Sequence, residues 1–116
     1  MVSSSRLLAD LRAPEIASSL TAQSIIVLPL GAIEQHGPHL PLNTDFVVAD
    51  AAARAAVEKV GAETNAWLLP TLAYTKSNEH LWSAGTMSLS ASTLMSVLDD
   101  IARSVAATPA RKLLFI

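Results

Sequence analysis

The sequence contains no cysteine, and this absence restricts its chemistry. Without thiols the chain can form no disulfide, bind no metal ion through sulfur and use no thiol nucleophile. Any metal ion must therefore be bound through nitrogen and oxygen atoms.

The chain also lacks an excess of either charge, since its formal net charge is only -2 over 116 residues. A chain with so little positive charge is not suited to neutralise phosphates, so we expect no nucleic-acid partner. Apolar residues make up 51% of the chain, which excludes disorder by composition. The length suits one hydrophobic core, and hence one domain or part of one.

The amino terminus has no long hydrophobic run. In the segment MVSSSRLLADLRAP, the apolar residues are interrupted by Arg6, Asp10 and Arg12. Neither a signal peptide nor a membrane span fits this pattern. We therefore expect no membrane association and a cytoplasmic location.

Three short aliphatic runs, at residues 24–30, 66–72 and 112–116, predict β-strands. Their apolar residues are consecutive, which is typical of strands covered on both faces. Pro70 restricts the second run to a strand terminus or a sheet edge.

Helices are predicted before and between these strands. Residues 6–20 predict helical turns broken at Pro14, which suits a first helical position. Residues 45–60 predict an alanine-rich helix that ends at Gly61 as its carboxyl-terminal cap. Its buried stripe is predicted to consist of Val48, Ala51, Ala52 and Ala55. A third helix, from Leu94 to Val105, has apolar residues three and four positions apart.

The order strand, helix, strand, helix, strand predicts an α/β fold with three α/β/α layers and a mostly parallel sheet. In such sheets, ligands bind beyond the carboxyl ends of the strands. The polar loops at residues 31–44 and 74–85 follow two of those ends.

The first of these loops contains a possible metal-binding set. Glu34 and His36 are two residues apart, so in extended backbone their side chains project to the same side. Asp45 follows after a loop stiffened by Pro38 and Pro41. Two carboxylates and an imidazole suit Zn, Mn or Fe as a divalent ion. Asp45 could bridge two ions, as two-metal hydrolysis requires.

Simpler roles fit the same residues. Thr44 or Asp45 could cap the following helix, because both residue types are common at helix starts. His36 and His39 could be ordinary surface residues, and Glu34 could be a solvated carboxylate. The spacing of these residues does not decide between the two interpretations.

The complete string from Leu28 to Asp45, LPLGAIEQHGPHLPLNTD, resembles the hallmark motif of the creatininase family. The similarity continues through Glu79-His80 and through GTMSL, which begins at Gly85, so it covers most of the chain after Leu28. The residues preceding that glycine depart from the family's usual Phe-Pro.

The resemblance implies that Glu34 binds one metal ion, His36 binds a second, and Asp45 bridges the two divalent ions of a complete site. It does not imply that His39 is a ligand. It also brings part of the second loop near the site. Candidate residues of the substrate pocket are Ser77, Asn78, Glu79 and His80. A structural role in holding the loop is equally compatible with each of the four.

The resemblance further implies a metal-dependent amidohydrolase that cleaves a cyclic or small amide C–N bond with a metal-activated water. Its implied partners are a small-molecule amide substrate and further copies of itself in a homo-oligomer. Because the family's chains are longer, we expect residues 1–116 to form the amino-terminal part of one creatininase-like domain, truncated after the third strand and inactive alone. The alternative is a non-catalytic fragment that serves as a scaffold or assembly piece.

Overall fold

The computed structural model describes residues 5–116. Residues 1–4, part of the segment expected to lack a signal peptide, lie outside the described residues. The strands are β1 (Ile25–Leu28), β2 (Ala66–Leu68) and β3 (Lys112–Phe115). The helices are α1 (Ala13–Ser19), α2 (Thr44–Thr64) and α3 (Ala91–Ala106), with 3-10 turns at Leu8–Asp10 and Asn78–His80. No helix within residues 5–116 has the length and apolar content needed to cross a membrane.

The three strands form one parallel sheet in the order β2-β1-β3. In the central strand, Ile26 pairs with Trp67 on one side and with Leu113 on the other. The predicted α/β fold with a parallel sheet is therefore confirmed. The strands are shorter than the aliphatic runs that predicted them, because the ends of those runs enter loops.

Helices cover both faces of the sheet. One buried cluster contains Leu8, Leu20, Ile26, Trp67, Val105 and Ala110. The other contains Val27, Ala53, Val57, Ala66 and Leu68. Ile26 and Val27 are neighbours in β1 and so point to opposite faces, the second of which is covered by α2. The α/β/α layering follows from these two clusters.

The predicted buried stripe of α2 is wrong. Val48 is 62% exposed, and the alanines at positions 51, 52 and 55 are exposed as well. The buried residues are Ala53, Val57 and Gly61, which are four positions apart. Because alanine occurs on every side of this helix, hydrophobicity alone did not identify its buried face.

The predicted end of α2 is also wrong. Gly61 lies inside the helix, which continues to Thr64. Asn65 is the carboxyl-terminal cap, with a left-handed φ of 55°, and its N–H donates to the carbonyl of Gly61. Glycine at position 61 instead permits close packing, since a Cβ there would lie 2.8 Å from Cδ of Arg6 and 3.2 Å from the carbonyl oxygen of Ala66.

One carboxylate ties α2 to the segment after β2. Asp50 accepts hydrogen bonds of 2.7 Å from Nε of Arg54 and from the hydroxyl of Thr71. These two hydrogen bonds, that from Arg54 first, lower the pKa of Asp50 below its ordinary value.

The other two helices match their predictions more closely. α1 begins at Ala13 with Pro14 in its first turn. α3 contains the predicted amphipathic segment and packs on the sheet through Val105. β3 is an edge strand in the described sheet, and its apolar residues from Leu114 to Ile116 stay 41–49% exposed.

Candidate metal centre

The loop after β1 folds back along itself. The backbone N–H of Glu34 donates to the carbonyl of Leu42 at 3.0 Å, and His36 and Leu40 form an antiparallel bridge. The bridge pairs the two arms of the loop at His36, and Glu34 lies two residues before it on the same arm. Because the returning strand of the loop runs alongside them, it carries Asp45 back towards their side chains.

Asp45 lies in the first turn of α2 and does not cap the helix. The helix begins at Thr44, and Asn43 occupies the N-cap position without a side-chain capping hydrogen bond. The hydroxyl of Thr44 donates to the carbonyl of Pro41 at 2.7 Å. The capping role considered for Thr44 or Asp45 is therefore wrong. A carboxylate in this first turn is favoured by the positive end of the helix dipole.

Glu34, His36 and Asp45 come together at the amino end of α2. Each offers one ligand atom, and these three atoms lie within 4.8 Å of one another. Nε2 of His36 is 3.3 Å from Oδ1 of Asp45. All three residues are half-buried.

The imidazole of His36 is oriented to bind a cation. Its Nδ1 lies 3.2 Å from the backbone carbonyl oxygen of Glu34. A carbonyl oxygen only accepts hydrogen bonds, so we assign a proton to Nδ1. Nε2 then faces Oδ1 of Asp45, to which it donates when the ring is protonated, and it is the atom that can bind a cation when the ring is neutral. The backbone hydrogen bond is the main cause of a raised pKa at His36, reinforced by the nearby carboxylates and opposed by burial.

The second loop supports the carboxylate of Glu34. The hydroxyl of Ser77, which is fully buried, donates to Oε2 of Glu34. The backbone N–H of Ser77 donates to the hydroxyl of Ser88 at 2.8 Å, which holds the serine in place. Nε2 of His80 lies 3.6 Å from the same Oε2 of Glu34.

The other two residues proposed from the second loop have more exposed positions. Asn78 is exposed, while the exposed Glu79 forms an ion pair of 3.5 Å with Lys76. Glu34, Glu79 and His80 form a second set of donor atoms within 4.8 Å among the described residues. His39, which was not expected to be a ligand, is exposed.

Two buried threonines join the loops to each other, and sequence analysis assigned neither of them a role. The hydroxyl of Thr75 donates to the carbonyl of Gly31 at 2.5 Å. The hydroxyl of Thr86 accepts from the backbone N–H of Gln35 at 3.1 Å. Thr86 belongs to the GTMSL stretch, so the motif marked its position but not its partner.

Gln35 makes two further contacts that the sequence did not indicate. Its Oε1 accepts a hydrogen bond of 3.0 Å from the backbone N–H of Gly37. Its Nε2 lies 3.2 Å from Nδ1 of His80, 45 residues away in the chain. Gln35 therefore connects the turn of the first loop to a histidine of the second.

Comparison with known proteins agrees with this geometry. The sequence profile of the creatininase family, described as creatinine amidohydrolase, matches residues 9–116. This chain belongs to the creatininase family. The resemblance carried by the two motifs is thereby confirmed.

Individual relatives are longer than this chain. The mycofactocin precursor peptide peptidase of Mycobacterium tuberculosis is 45% identical over 97 residues, which cover 78% of this chain and 38% of that protein. The creatinine amidohydrolase of Pseudomonas putida is 34% identical over 97 residues, with coverage of 79% and 36%. A solved creatininase mutant described as "Zn-Zn type" is similar with a TM-score of 0.85 at 31% identity, covering 97% of this chain and 45% of that one. This creatininase family chain thus spans less than half the length of these relatives.

Proposed function

We propose that this chain contributes Glu34, His36 and Asp45 to the divalent metal centre of an amidohydrolase. The reaction is hydrolysis of a cyclic or small amide C–N bond by a metal-activated water. The observation that supports it most directly is the convergence of three nitrogen and oxygen donor atoms within 4.8 Å at the start of α2.

The donor chemistry fits a divalent ion. Two carboxylates bring two negative charges to a half-buried site, and a dication offsets them. His36 can bind through Nε2 without losing its Nδ1–H hydrogen bond to a backbone carbonyl, an outer contact common among metal-binding histidines. This set suits Zn, Mn or Fe. Two solved creatininases, described as "Zn-Zn type" and "Creatininase Mn", support Zn and Mn.

We further propose that the complete site holds two ions, with Asp45 shared between them. A catalytic zinc usually has three protein ligands, so Glu34, His36 and Asp45 are too few for two such ions. A two-ion site therefore needs protein ligands in addition to these three. The small number of ligands in this chain also favours the alternative, a non-catalytic scaffold that keeps the motif without turnover.

A bound divalent ion would polarise the scissile carbonyl and lower the pKa of a coordinated water. The chain's own residues orient the donors. The hydroxyl of Ser77 holds one oxygen of Glu34, and α2 holds Asp45 beside His36. Ser77 and His80 therefore act by positioning Glu34.

The remaining two pocket residues face outwards. Asn78 and Glu79 are exposed at the rim of the second loop, where their amide and carboxylate can contact a substrate. The named relatives act on creatinine and on a peptide precursor, and both substrates contain amide C–N bonds. We therefore propose a small-molecule amide as the substrate. A homo-oligomeric assembly and a cytoplasmic location belong to the same proposal.

Metal binding tests the proposal first. The purified chain is titrated with Zn²⁺ and Mn²⁺ against a chromophoric chelator, together with the variants Glu34→Gln and Asp45→Asn. Both substitutions should lower metal affinity, because each removes a charged ligand. His39→Gln is the matched control, since His39 lies in the same loop but is exposed. Equal affinity in all four proteins would contradict the proposed centre.

Hydrolysis separates the enzyme from the scaffold. Creatinine and a short peptide are supplied as substrates with added Mn²⁺ or Zn²⁺, to this chain and to a longer protein that contains it. Turnover that is lost in Glu34→Gln and kept in His39→Gln excludes a scaffold. Metal binding without turnover in the longer protein favours the scaffold instead.

A further inference from the structure

We propose that Gln35 is a positioning residue that holds His80 in the Nε2–H tautomer, so that His80 faces Glu34 as a proton donor and stays out of the metal shell. The statement about the metal shell depends on the function proposed above. The statement about the tautomer depends only on contacts between Gln35, Gly37, His80 and Glu34.

The orientation of the Gln35 amide is determined by the backbone. The N–H of Gly37 donates to Oε1 of Gln35 at 3.0 Å. A rotated amide would place its own N–H group against this backbone donor, and the hydrogen bond would be lost. Nε2 of Gln35 must therefore be the atom that faces His80.

The amide nitrogen in turn determines the protonation of the ring. Nε2 of Gln35 lies 3.2 Å from Nδ1 of His80. An amide nitrogen can only donate, so Nδ1 must present a lone pair. In the neutral imidazole of His80 the proton is then on Nε2.

This tautomer suits the neighbouring carboxylate. Nε2 of His80 lies 3.6 Å from Oε2 of Glu34, the oxygen that also accepts the hydroxyl of Ser77. This separation exceeds a hydrogen bond, but an N–H group facing the oxygen is attractive through space, whereas a lone pair is repulsive unless a cation lies between the two atoms. Oε2 of Glu34 thus accepts the hydroxyl of Ser77 and has the N–H side of His80 close by, which favours its other oxygen as the metal ligand.

The two histidines near Glu34 therefore have opposite tautomers. His36 has its proton on Nδ1, held by a backbone carbonyl, and its Nε2 is free to bind a metal ion. His80 has its proton on Nε2, held there by the amide of Gln35. The two rings are assigned different roles by the groups that contact their Nδ1 atoms.

The inference explains why a second set of donors need not compete for metal. Ligand atoms of Glu34, Glu79 and His80 also lie within 4.8 Å of one another. For His80 to bind through Nε2, its proton would have to move to Nδ1 and face the amide N–H of Gln35. A glutamate at position 35 would accept a hydrogen bond from Nδ1–H of His80, as carboxylates do behind metal-binding histidines. Gln35→Glu should therefore create a metal ligand out of His80.

The first experiment reads the tautomer directly in the metal-free chain. Nitrogen-15 NMR of histidine-labelled protein at about pH 8, above the ordinary histidine pKa of roughly 6.5, distinguishes the two ring nitrogens. His80→Gln assigns the signal. We expect the Nε2–H form of His80 to exceed the other by about tenfold or more, because the other form would place an N–H of the ring against the N–H of the Gln35 amide and lose that hydrogen bond.

Variants separate a positioning role from a structural one. Gln35→Glu should move the proton of His80 to Nδ1, and Gln35→Leu should bring the two tautomers closer to equal populations. Thr86→Val is the matched control, because it removes another contact of residue 35 without changing its side chain, and it should leave the tautomer unchanged. A wild-type His80 with its proton on Nδ1, or the same tautomer in wild type and in both Gln35 variants, would overturn the proposal.

The second experiment counts metal ions. Zinc titration should give a higher stoichiometry in Gln35→Glu than in wild type, and Gln35→Glu combined with His80→Gln should return it to the wild-type value. An unchanged stoichiometry in Gln35→Glu contradicts the part of the proposal that concerns the metal shell. If wild type binds no zinc while its tautomer responds to Gln35 as expected, the proposed metal centre fails and the tautomer assignment stands.

Discussion

Replacing Gly31 by alanine should weaken metal binding, although Gly31 contributes no ligand. It lies just after β1, and a Cβ at this position would be 2.7 Å from Cα of Phe46. Phe46 follows Asp45 in the first turn of α2. The backbone of Gly31 cannot easily shift, because its N–H donates to the carbonyl of Leu72 and its carbonyl accepts a hydrogen bond from the hydroxyl of Thr75.

The size of the effect follows from the contact. Carbon atoms in contact lie about 3.5–4.0 Å apart, so the 2.7 Å approach requires the start of α2 to move by about 0.8 Å or more. Ligand distances in metal sites hold to about 0.2 Å, so rotation of the Asp45 side chain can compensate only in part. We expect metal affinity to fall about 10–100-fold, as for other changes behind a ligand, and stability to fall by about 1–3 kcal/mol.

The assay is a competition titration with Zn²⁺ or Mn²⁺, performed well below the unfolding temperature of each variant. Gly61→Ala is the matched control, because its Cβ would lie 2.8 Å from Cδ of Arg6, near the opposite end of α2. It should lower stability without changing metal affinity. Wild-type affinity in Gly31→Ala, or equal losses in both variants, would refute the proposed link between helix position and the site.

Three other changes test the fold and the site. Asp50→Asn should lower the free energy of urea unfolding by about 1 kcal/mol at pH 7. The pKa of Asp50 is lowered in the folded state, so its contribution is present above the unfolded-state pKa of about 3.9 and is lost as the pH falls through the folded-state value; the difference from wild type should therefore shrink as the pH falls below about 3.9, and a difference that stays constant on acidification contradicts this. Ser77→Ala should reduce metal affinity about tenfold in the same titration while His39→Gln does not, because Glu34 loses its hydroxyl partner. Asn65→Ala should lower the melting temperature more than Asn65→Gly does, because both variants lose the hydrogen bonds of the Asn65 amide but only alanine also incurs a cost of about 1–2 kcal/mol for left-handed backbone; an equal loss in both variants contradicts this.

Local patterns predicted the elements of the fold and the core of the candidate site. Consecutive aliphatic residues identified all three strands. β1 and β2 are largely buried, as such runs indicate, whereas β3 lies at an edge of the described sheet and most of its residues are exposed. The spacing of Glu34 and His36 puts their side chains on one side if the backbone is extended, and in the structure their donor atoms lie within 4.8 Å of each other. Each of these signals depends on residues within a few positions of one another.

Features of the fold that depend on tertiary packing were not predicted from the sequence. Either Gly61 or Asn65 could end α2, because both residue types adopt left-handed backbone, and the choice depends on the tight packing of Gly61 against Arg6. The buried face of α2 was missed for a related reason. Alanine can face the sheet or the solvent with little difference in free energy. The packing of Val57 in the cluster with Val27 and Leu68 therefore determines which face of the helix is buried.

Local sequence patterns also did not predict the contacts that support the candidate ligands. The order of the strands explains why. β1 lies directly beside β2, so the loops that follow these two strands leave the sheet at adjacent points. That adjacency allows Ser77 and His80 to reach Glu34, and Gln35 to reach His80. The sequence predicted two loops at the carboxyl ends of strands, but no order of strands. With a third strand between β1 and β2, the loops would start about 10 Å apart instead of about 5 Å, and the carboxylate of Glu34 would lose its contacts with Ser77 and His80.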